Sequence, residues 1–385
     1  MIKLSEPFFF GSELTQLKKC IKTQWVSSGG NEVKKFESRM KKYSSGKYNL
    51  ATVNCTVALQ LAVRLLNPNH NDEIIVPTIT FIATINSVIY NNCKPIFMDC
   101  DEQLLIDKNK FYNFIRKNTF FSKGHTYNKK TKKKILSIII VNTFGNLFEL
   151  DNNFIKFCKR KNIKIIEDAA ESLGSHFHDN NRYQPKRVDF SCYSFNGNKL
   201  ITAGGGGLIS MSNKRDFKKA IYLATQAKKD VVNFIHDDVG YNIRMSNLHA
   251  AIGLSQISNL KKVLKKKRLI FEKYKNEINK IKGLTILSGP KYCNSNNWLN
   301  ILVIDQKKYG LSKKGIVNGF RKFEVETRSL WYPNHLQKPF LKFEKFNLDK
   351  AKKMFERCIC IPSSYGLNDR DQKKIIKLLK NKFKN

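Results

Sequence analysis

Short, continuously apolar runs recur along the first half of this chain, each followed by a stretch with helical periodicity. "NLATVN", "DEIIVP", "KPIFMD", "ILSIIIVN" and "IKIIED" are short, apolar and rich in β-branched residues, as strands are. Between them, "TVALQLAVRLL", "FIATINSVIYNN" and "NNFIKFCKRKN" read as helices. Strands that are apolar on both faces need cover on both faces, and parallel neighbours need a crossover long enough to hold a helix. The alternation therefore predicts an α/β chain built on a mostly parallel sheet. Near Asp189 the rhythm changes: "DFSCYSF" and "GGLISMS" read as strands joined by a loop with no helix between them.

Ahead of the alternation, "SELTQLKKCIKTQW" and "NEVKKFESRMKKYS" predict two helices, with Ser12 and Asn31 as N-caps. Behind it, one long helical region from about Tyr241 leads into "NNWLNILVID" and further helices, an α+β pattern. A length of 385 residues exceeds one average domain. The expected division is a large domain over 1–255 and a small C-terminal α+β domain over 256–385. "SKGHTYNKKTKKK" reads as an exposed loop.

Composition narrows the function classes. The chain carries 70 Lys and Arg against 31 Asp and Glu, a formal net charge of +39. The lysines are dispersed and accompany abundant Asn, Ile and Phe, a bias that an AT-rich genome produces without selection for binding. No nucleic acid partner is expected, and the positive field suits an anionic small substrate. No apolar run is long enough to insert in a membrane, and the N-terminus lacks the pattern of a signal peptide, so a cytoplasmic location is expected. The nine cysteines show no ligand spacing and read as buried reduced thiols, with no metal site.

"IKIIEDAAESLG" ends its strand in Glu167 and Asp168, at the edge where open α/β sheets bind ligands. Lys199 follows about thirty residues later in "SFNGNKLITAGGGG". A lysine that forms a Schiff base, with an aspartate facing a pyridinium nitrogen, is the arrangement a pyridoxal phosphate enzyme requires. "NCTVALQ" offers the amides of Cys55, Thr56 and Val57 and the Thr56 hydroxyl at a helix start, a phosphate site. Phe81 opens another helix, where an aromatic ring can stack on a planar cofactor. The glycines Gly204 to Gly207 are expected to let the backbone pass close beside that cofactor. Singly, each feature has a plainer reading as a solvated cap or a core residue.

With those residues in order, the chain resembles the DegT/StrS-type (DegT/DnrJ/EryC/StrS) sugar aminotransferases, fold type I pyridoxal phosphate enzymes of the aspartate aminotransferase kind. The similarity runs through "WVSSGGNEVKKFESRM", "NCTVALQLAV", "DEIIVPTITFIATINSV", "IIVNTFGNLFELD", "IIEDAAESLGS", "DFSCYSFNGNKLITAGGGG" and "GYNIRMSNLHAAIGLSQ". It implies a mostly parallel seven-stranded sheet in the large domain. It also implies that Lys199 is the internal aldimine lysine and Asp168 the pyridinium partner. Phe81 matches the ring-stacking aromatic, Thr56 and Ser194 match phosphate contacts, and Glu171 lies near the ring hydroxyl. Asn242 matches a residue reaching the phosphate of the neighbouring subunit, which implies a homodimer with shared active sites. Two departures stand out: Asn54-Cys55-Thr56 replaces the Ser-Gly-Thr of many relatives, and no glutamate interrupts the glycine run.

The resemblance further implies transfer of an amino group from L-glutamate to a nucleotide-linked keto-sugar, for surface polysaccharide or glycan biosynthesis. "SFNGNK" with "EDAAES" is most similar to enzymes that aminate C4 of UDP-4-keto-6-deoxy-N-acetylhexosamines on bacillosamine or legionaminic acid routes. GDP-perosamine-type and dTDP-sugar enzymes are the alternatives. "TRSLWYPNHLQKPF" aligns with a segment near the sugar, making Trp331 and His335 candidate substrate contacts, although His335 reads equally as a packed histidine. A sister branch that deoxygenates sugars replaces the lysine with histidine, which Lys199 opposes. A non-catalytic regulatory or nucleic-acid-binding protein on the same fold would have a broken constellation, whereas Asp168, Lys199 and Thr56 are all present.

Overall fold

The computed structural model describes residues 1–178 and 188–384. Leaving aside short hairpins, its strands are β1 (Tyr48–Thr52), β2 (Glu73–Pro77), β3 (Lys94–Met98), β4 (Ile135–Val141), β5 (Lys164–Asp168), β6 (Phe190–Ser194), β7 (Gly207–Met211), β8 (Leu284–Ile286), β9 (Asn300–Ile304), β10 (Arg328–Ser329), β11 (Glu344–Phe346) and β12 (Cys358–Ile361). Eight of them form one sheet in the order β1-β7-β6-β5-β4-β2-β3-β11. Every pairing from β6 to β11 is parallel, and only β7 opposes its neighbours. The reason is local: β6 and β7 are joined by the Lys199 loop, and a connection without a crossover helix returns the chain antiparallel.

Strand periodicity divides the apolar side chains between two cores. Ile74 and Val76 of β2 pack with Leu59, Ala62 and Val63 of the helix Cys55–Leu65 on one face. Ile75, between them, packs with Phe111, Phe114 and Phe154 on the other. A strand buried on both sides reads as an unbroken apolar run, which is why the sequence pattern was clear. A separate core, including Tyr274, Leu302, Phe320, Ile359 and Leu379, backs the antiparallel sheet β8-β9-β12-β10.

Several local expectations change. The large sheet has an eighth strand, β11, contributed by the C-terminal part of the chain and paired in parallel with β3. Close by, Asp99, at the end of β3 and fully buried, accepts from the amides of Lys350 and Ala351 at 2.9 and 2.8 Å. It thereby caps the helix Asp349–Arg357 and braces the C-terminal segment against the large sheet. The long helical region is two helices, Asn247–Ser258 and Leu260–Ile278, bent at Asn259. Ser12 and Asn31 are the first helical residues rather than caps; Gly11 and Gly30 hold the cap positions. Part of the lysine-rich loop, His125–Asn128, pairs with Thr119–Ser122 as a hairpin. All nine cysteines are buried and free. Among the described residues no helix is long and apolar enough to cross a membrane, and no cluster of side chains could hold a metal ion.

Candidate active site

Asp168 ends β5 at the carboxyl edge of the sheet, where its side chain is almost fully buried. Its Oδ2 accepts from the Thr84 hydroxyl at 2.7 Å and its Oδ1 from the Ala170 amide at 3.1 Å. Thr84 is fixed in turn by the Thr80 hydroxyl, 2.9 Å away, one turn back at the start of the helix Ile82–Ile89. Burial pushes the Asp168 carboxyl up; the Thr84 and Ala170 hydrogen bonds and the Lys199 charge oppose the shift without cancelling it. No lysine or arginine among the described residues ion-pairs with it.

Lys199 sits in the loop between β6 and β7. Its Nζ lies 3.7 Å from Glu171 Oε1 and 4.2 Å from the centroid of the Trp298 ring. Glu171 is buried, and its Oε2 accepts from the Phe144 amide at 2.7 Å. Desolvation raises the Glu171 carboxyl, against the pull of Lys199 and the Phe144 amide. Phe144 takes a left-handed backbone, φ 56°, an uncommon conformation for a bulky residue; it turns the amide toward Glu171 and the ring toward two tryptophans. That ring lies nearly parallel to Trp298 (6.1 Å, 15°) and to Trp331 (5.9 Å, 13°). Trp298 is fully buried and its Nε1 donates to the Asn198 carbonyl at 2.8 Å, so one side chain both faces the Lys199 amine and holds its loop.

The helix Cys55–Leu65 begins beside this group. Asn54 caps it, with Oδ1 accepting from the Val57 amide at 3.0 Å, so the Cys55 and Thr56 amides precede the first intrahelical bonds. Cys55 is buried and within electrostatic reach of Asp168, Lys199 and Glu171. Burial, the larger cause, pushes its thiol well up. Ser194 ends β6, mostly buried. The glycine run serves this helix start: a Cβ on Gly207 would fall 2.3 Å from the Asn54 carbonyl carbon, and Gly206 has φ 110°. The close approach is thus to the backbone of the phosphate-type helix start.

Other expected residues stand differently. Phe81 is about half exposed, at the N-cap of the helix that carries Thr84, with its ring edge-on to Trp331 at 5.4 Å. Asn242 is exposed and bridged by its backbone to Thr225, and the next residue, Ile243, accepts through its carbonyl from the Val53 amide at 2.9 Å, just ahead of the Asn54 cap. His335 is buried, with Nδ1 2.7 Å from the Thr78 hydroxyl, and burial holds its pKa below the usual value. Sequence reasoning passed over Thr84, Phe144, Trp298 and Arg328. Arg328 places its guanidinium carbon 4.5 Å from the Trp331 ring centroid and 5.8 Å from that of Trp298. The one available signal was the pair of tryptophans, each beside an otherwise strand-like run.

Pyridoxal phosphate fits these residues. A buried carboxylate short of a cation suits a pyridinium nitrogen, a lysine lies close enough for its charge to act on that carboxylate, and a helix start offers free amides for a phosphate. Fold and site together define a pyridoxal phosphate-dependent aminotransferase of fold type I. The chain belongs to the DegT/DnrJ/EryC1/StrS aminotransferase family, whose model matches residues 11–380. It is 30% identical to the GDP-perosamine synthase of Vibrio cholerae over 385 residues, covering 100% of this chain and 99% of that protein. It is 29% identical to the UDP-4-amino-4,6-dideoxy-N-acetyl-β-L-altrosamine transaminase of Campylobacter jejuni, over 73% of this chain and 70% of that one. Among solved structures, Spr1654 of Streptococcus pneumoniae in its PLP form superposes with a TM-score of 0.85 at 22% identity, covering 100% of both chains. The protein is a sugar-nucleotide aminotransferase.

Proposed function

We propose that this enzyme takes its amino group from L-glutamate and delivers it to C4 of a nucleotide-linked 4-keto-6-deoxy sugar, a UDP-N-acetylhexosamine first. The observation that carries the chemistry is Lys199 Nζ, poised 3.7 Å from a buried Glu171. Bound here, the cofactor supplies an electron sink for the carbanion formed at the carbon bearing the amino group. Asp168 holds the proton of the ring nitrogen. Thr56, the Cys55 amide and Ser194 would hold the phosphate, and Phe81 would be the aromatic against the ring. Lys199 would be the residue that holds the cofactor, and its amine would move the proton at the substrate carbon. Glu171 keeps the freed ammonium in place between turnovers, and Trp298 shields it from water.

A GDP-linked acceptor is the second reading, favoured by the whole-length similarity to GDP-perosamine synthase. The enzyme works in the cytoplasm as a homodimer whose Asn242 completes the partner's phosphate site. Exposed Val231, Val232, Phe234 and Ile235, on or between the short strands Lys228–Asp230 and Ile235–His236, support such a contact. The test is direct. Purified protein loaded with pyridoxal phosphate should be yellow and lose that colour with glutamate. Borohydride reduction should fix the cofactor's mass to the peptide bearing Lys199, and Lys199→Ala should retain none; label retained by that variant refutes the assignment. Mass spectrometry on a panel of UDP-, GDP- and dTDP-linked keto-sugars decides the acceptor.

A further inference from the structure

Lys267 is a buried amine to which the transamination chemistry gives no task. It lies on the helix Leu260–Ile278, only 3% exposed, and no carboxylate among the described residues offsets its burial. Burying an amine in this way is costly, so what its hydrogen bonds hold is informative. Its Nζ donates to two main-chain carbonyls: that of Trp298, just ahead of β9, at 2.9 Å, and that of Ser363, just past β12. Each of these residues passes the constraint on. The Trp298 Nε1 donates to the Asn198 carbonyl at 2.8 Å. The Ser363 amide donates to the Leu4 carbonyl at 2.8 Å, and the next residue, Ser5, donates from its hydroxyl to the same Asn198 carbonyl at 3.0 Å. Two chains of bonds thus leave one amine and meet again on one carbonyl, that of the residue before Lys199. Ser5, Lys199 and Lys267 also line one small cavity.

We propose that Lys267 is a positioning residue for Lys199, a deeper reading that rests on the glutamate-dependent role of Lys199 above. Lys267 touches no reacting atom. Its amine presents several N–H donors from one point, so it fixes the separation of two carbonyls that belong to the paired strands β9 and β12. That separation sets where Trp298 and the segment Leu4-Ser5 stand. With both donors placed, the Asn198 carbonyl is held from two directions, and the Lys199 backbone starts from a fixed point. Its Nζ then stands 4.2 Å from the Trp298 ring centroid and 3.7 Å from Glu171 Oε1. A lysine that holds the cofactor and also moves a proton must reach two places from one anchored backbone. A displacement of about 1 Å costs such a step about 100-fold. An apolar side chain at 267 would fill the space, leave both carbonyls unpaired and let the loop drift.

The experiment uses the cofactor-loaded enzyme and reads three quantities: the single-turnover rate at saturating L-glutamate, the half-saturating glutamate concentration, and backbone hydrogen exchange by mass spectrometry. Lys267→Met should slow the turnover about 10- to 100-fold and leave half-saturation within about 2-fold, because no binding contact is removed. In the same variant exchange should quicken over 196–203, where the Lys199 amide donates to the Asn196 carbonyl and the Ala203 amide to that of Phe195. Strands β2 and β4 should keep their protection. Ser5→Ala removes one donor from the Asn198 carbonyl and should show both changes, each smaller. Combining the two substitutions should cost less than the product of their effects, since both act on one carbonyl. Unchanged rate and loop exchange in the single variants overturn the proposal, as does exchange that quickens evenly along the chain. A raised half-saturation with the rate intact also overturns it. Should Lys267→Met not fold, Ser5→Ala decides alone, by the same rate and the same segment. Wild-type enzyme that ignores glutamate, yet has loop exchange that depends on Lys267, would refute the donor and uphold the brace. Wild-type enzyme that shows neither would refute both.

Discussion

Thr84 shows how a residue can matter without announcing itself. Its hydroxyl occupies one oxygen of Asp168 and fixes the direction of the other. Thr84→Val keeps the shape and removes the donor, so cofactor affinity should fall about 5- to 10-fold, the equivalent of one net hydrogen bond, in an equilibrium titration with pyridoxal phosphate. Lys267 makes a second prediction. It is fully desolvated, donating to the carbonyls of Trp298 and Ser363, and burial lowers its pKa from 10.5 to about 7. Between those values the unfolded amine binds a proton that the folded amine does not. Its contribution therefore makes stability rise with pH across that window. The stability of wild type minus that of Lys267→Met, from denaturant unfolding, should grow by up to about 1 kcal/mol per unit between pH 7 and 9. A flat difference would remove the buried amine as cause. Asp168 and Lys199 stood out in the sequence because an acid at a strand end and a lysine before four glycines are unusual neighbours. Thr84 and Arg328 did not, since one hides in an apolar helix and the other is a lone charge on a two-residue strand.

At the level of elements, the strands that could be read were those buried on both faces. β11 escaped because three residues, Glu344, Lys345 and Phe346, hold neither an apolar run nor an alternation. The bend at Asn259 escaped because helical periodicity continues on either side of it. The edge that β11 joins also holds two carboxylates, Glu73 and Glu344, which both accept from the Asn128 amide at 3.0 and 2.7 Å. Burial raises Glu73 to about 7. Between 4.5 and about 7 the folded state therefore binds a proton that the unfolded state lacks, and the Glu73 contribution falls as pH rises through that interval. Glu73→Gln does not ionise and keeps the acceptor. Its melting temperature at pH 8 should exceed that of wild type by a few degrees, with the gap closing by about pH 4.5. Equal melting temperatures at pH 8 would mean that ionised Glu73 is not strained.

For the whole molecule, the proposed homodimer would cover the exposed Val231, Val232, Phe234 and Ile235. Phe234→Asp should convert a dimer to monomer in sedimentation and lower turnover, while leaving the fold's circular dichroism unchanged; a dimer that persists would clear this hairpin of the role. The cores on the two faces of the large sheet followed from strand and helix patterns, but the brace of the C-terminal segment against that sheet did not, because it depends on Asp99 meeting a helix start some 250 residues away. β11 has a consequence for how the molecule is made. The first seven strands of the large sheet are synthesised by Met211, whereas the strand that covers β3 emerges only after three strands of the small sheet, β8, β9 and β10, have been made. Throughout that interval on the ribosome, β3 is a bare edge with open backbone donors and acceptors, the state in which nascent chains pair with one another. Ribosomes stalled before Glu344 should therefore carry a sheet still in need of a chaperone, and release from it should coincide with the exit of Phe346.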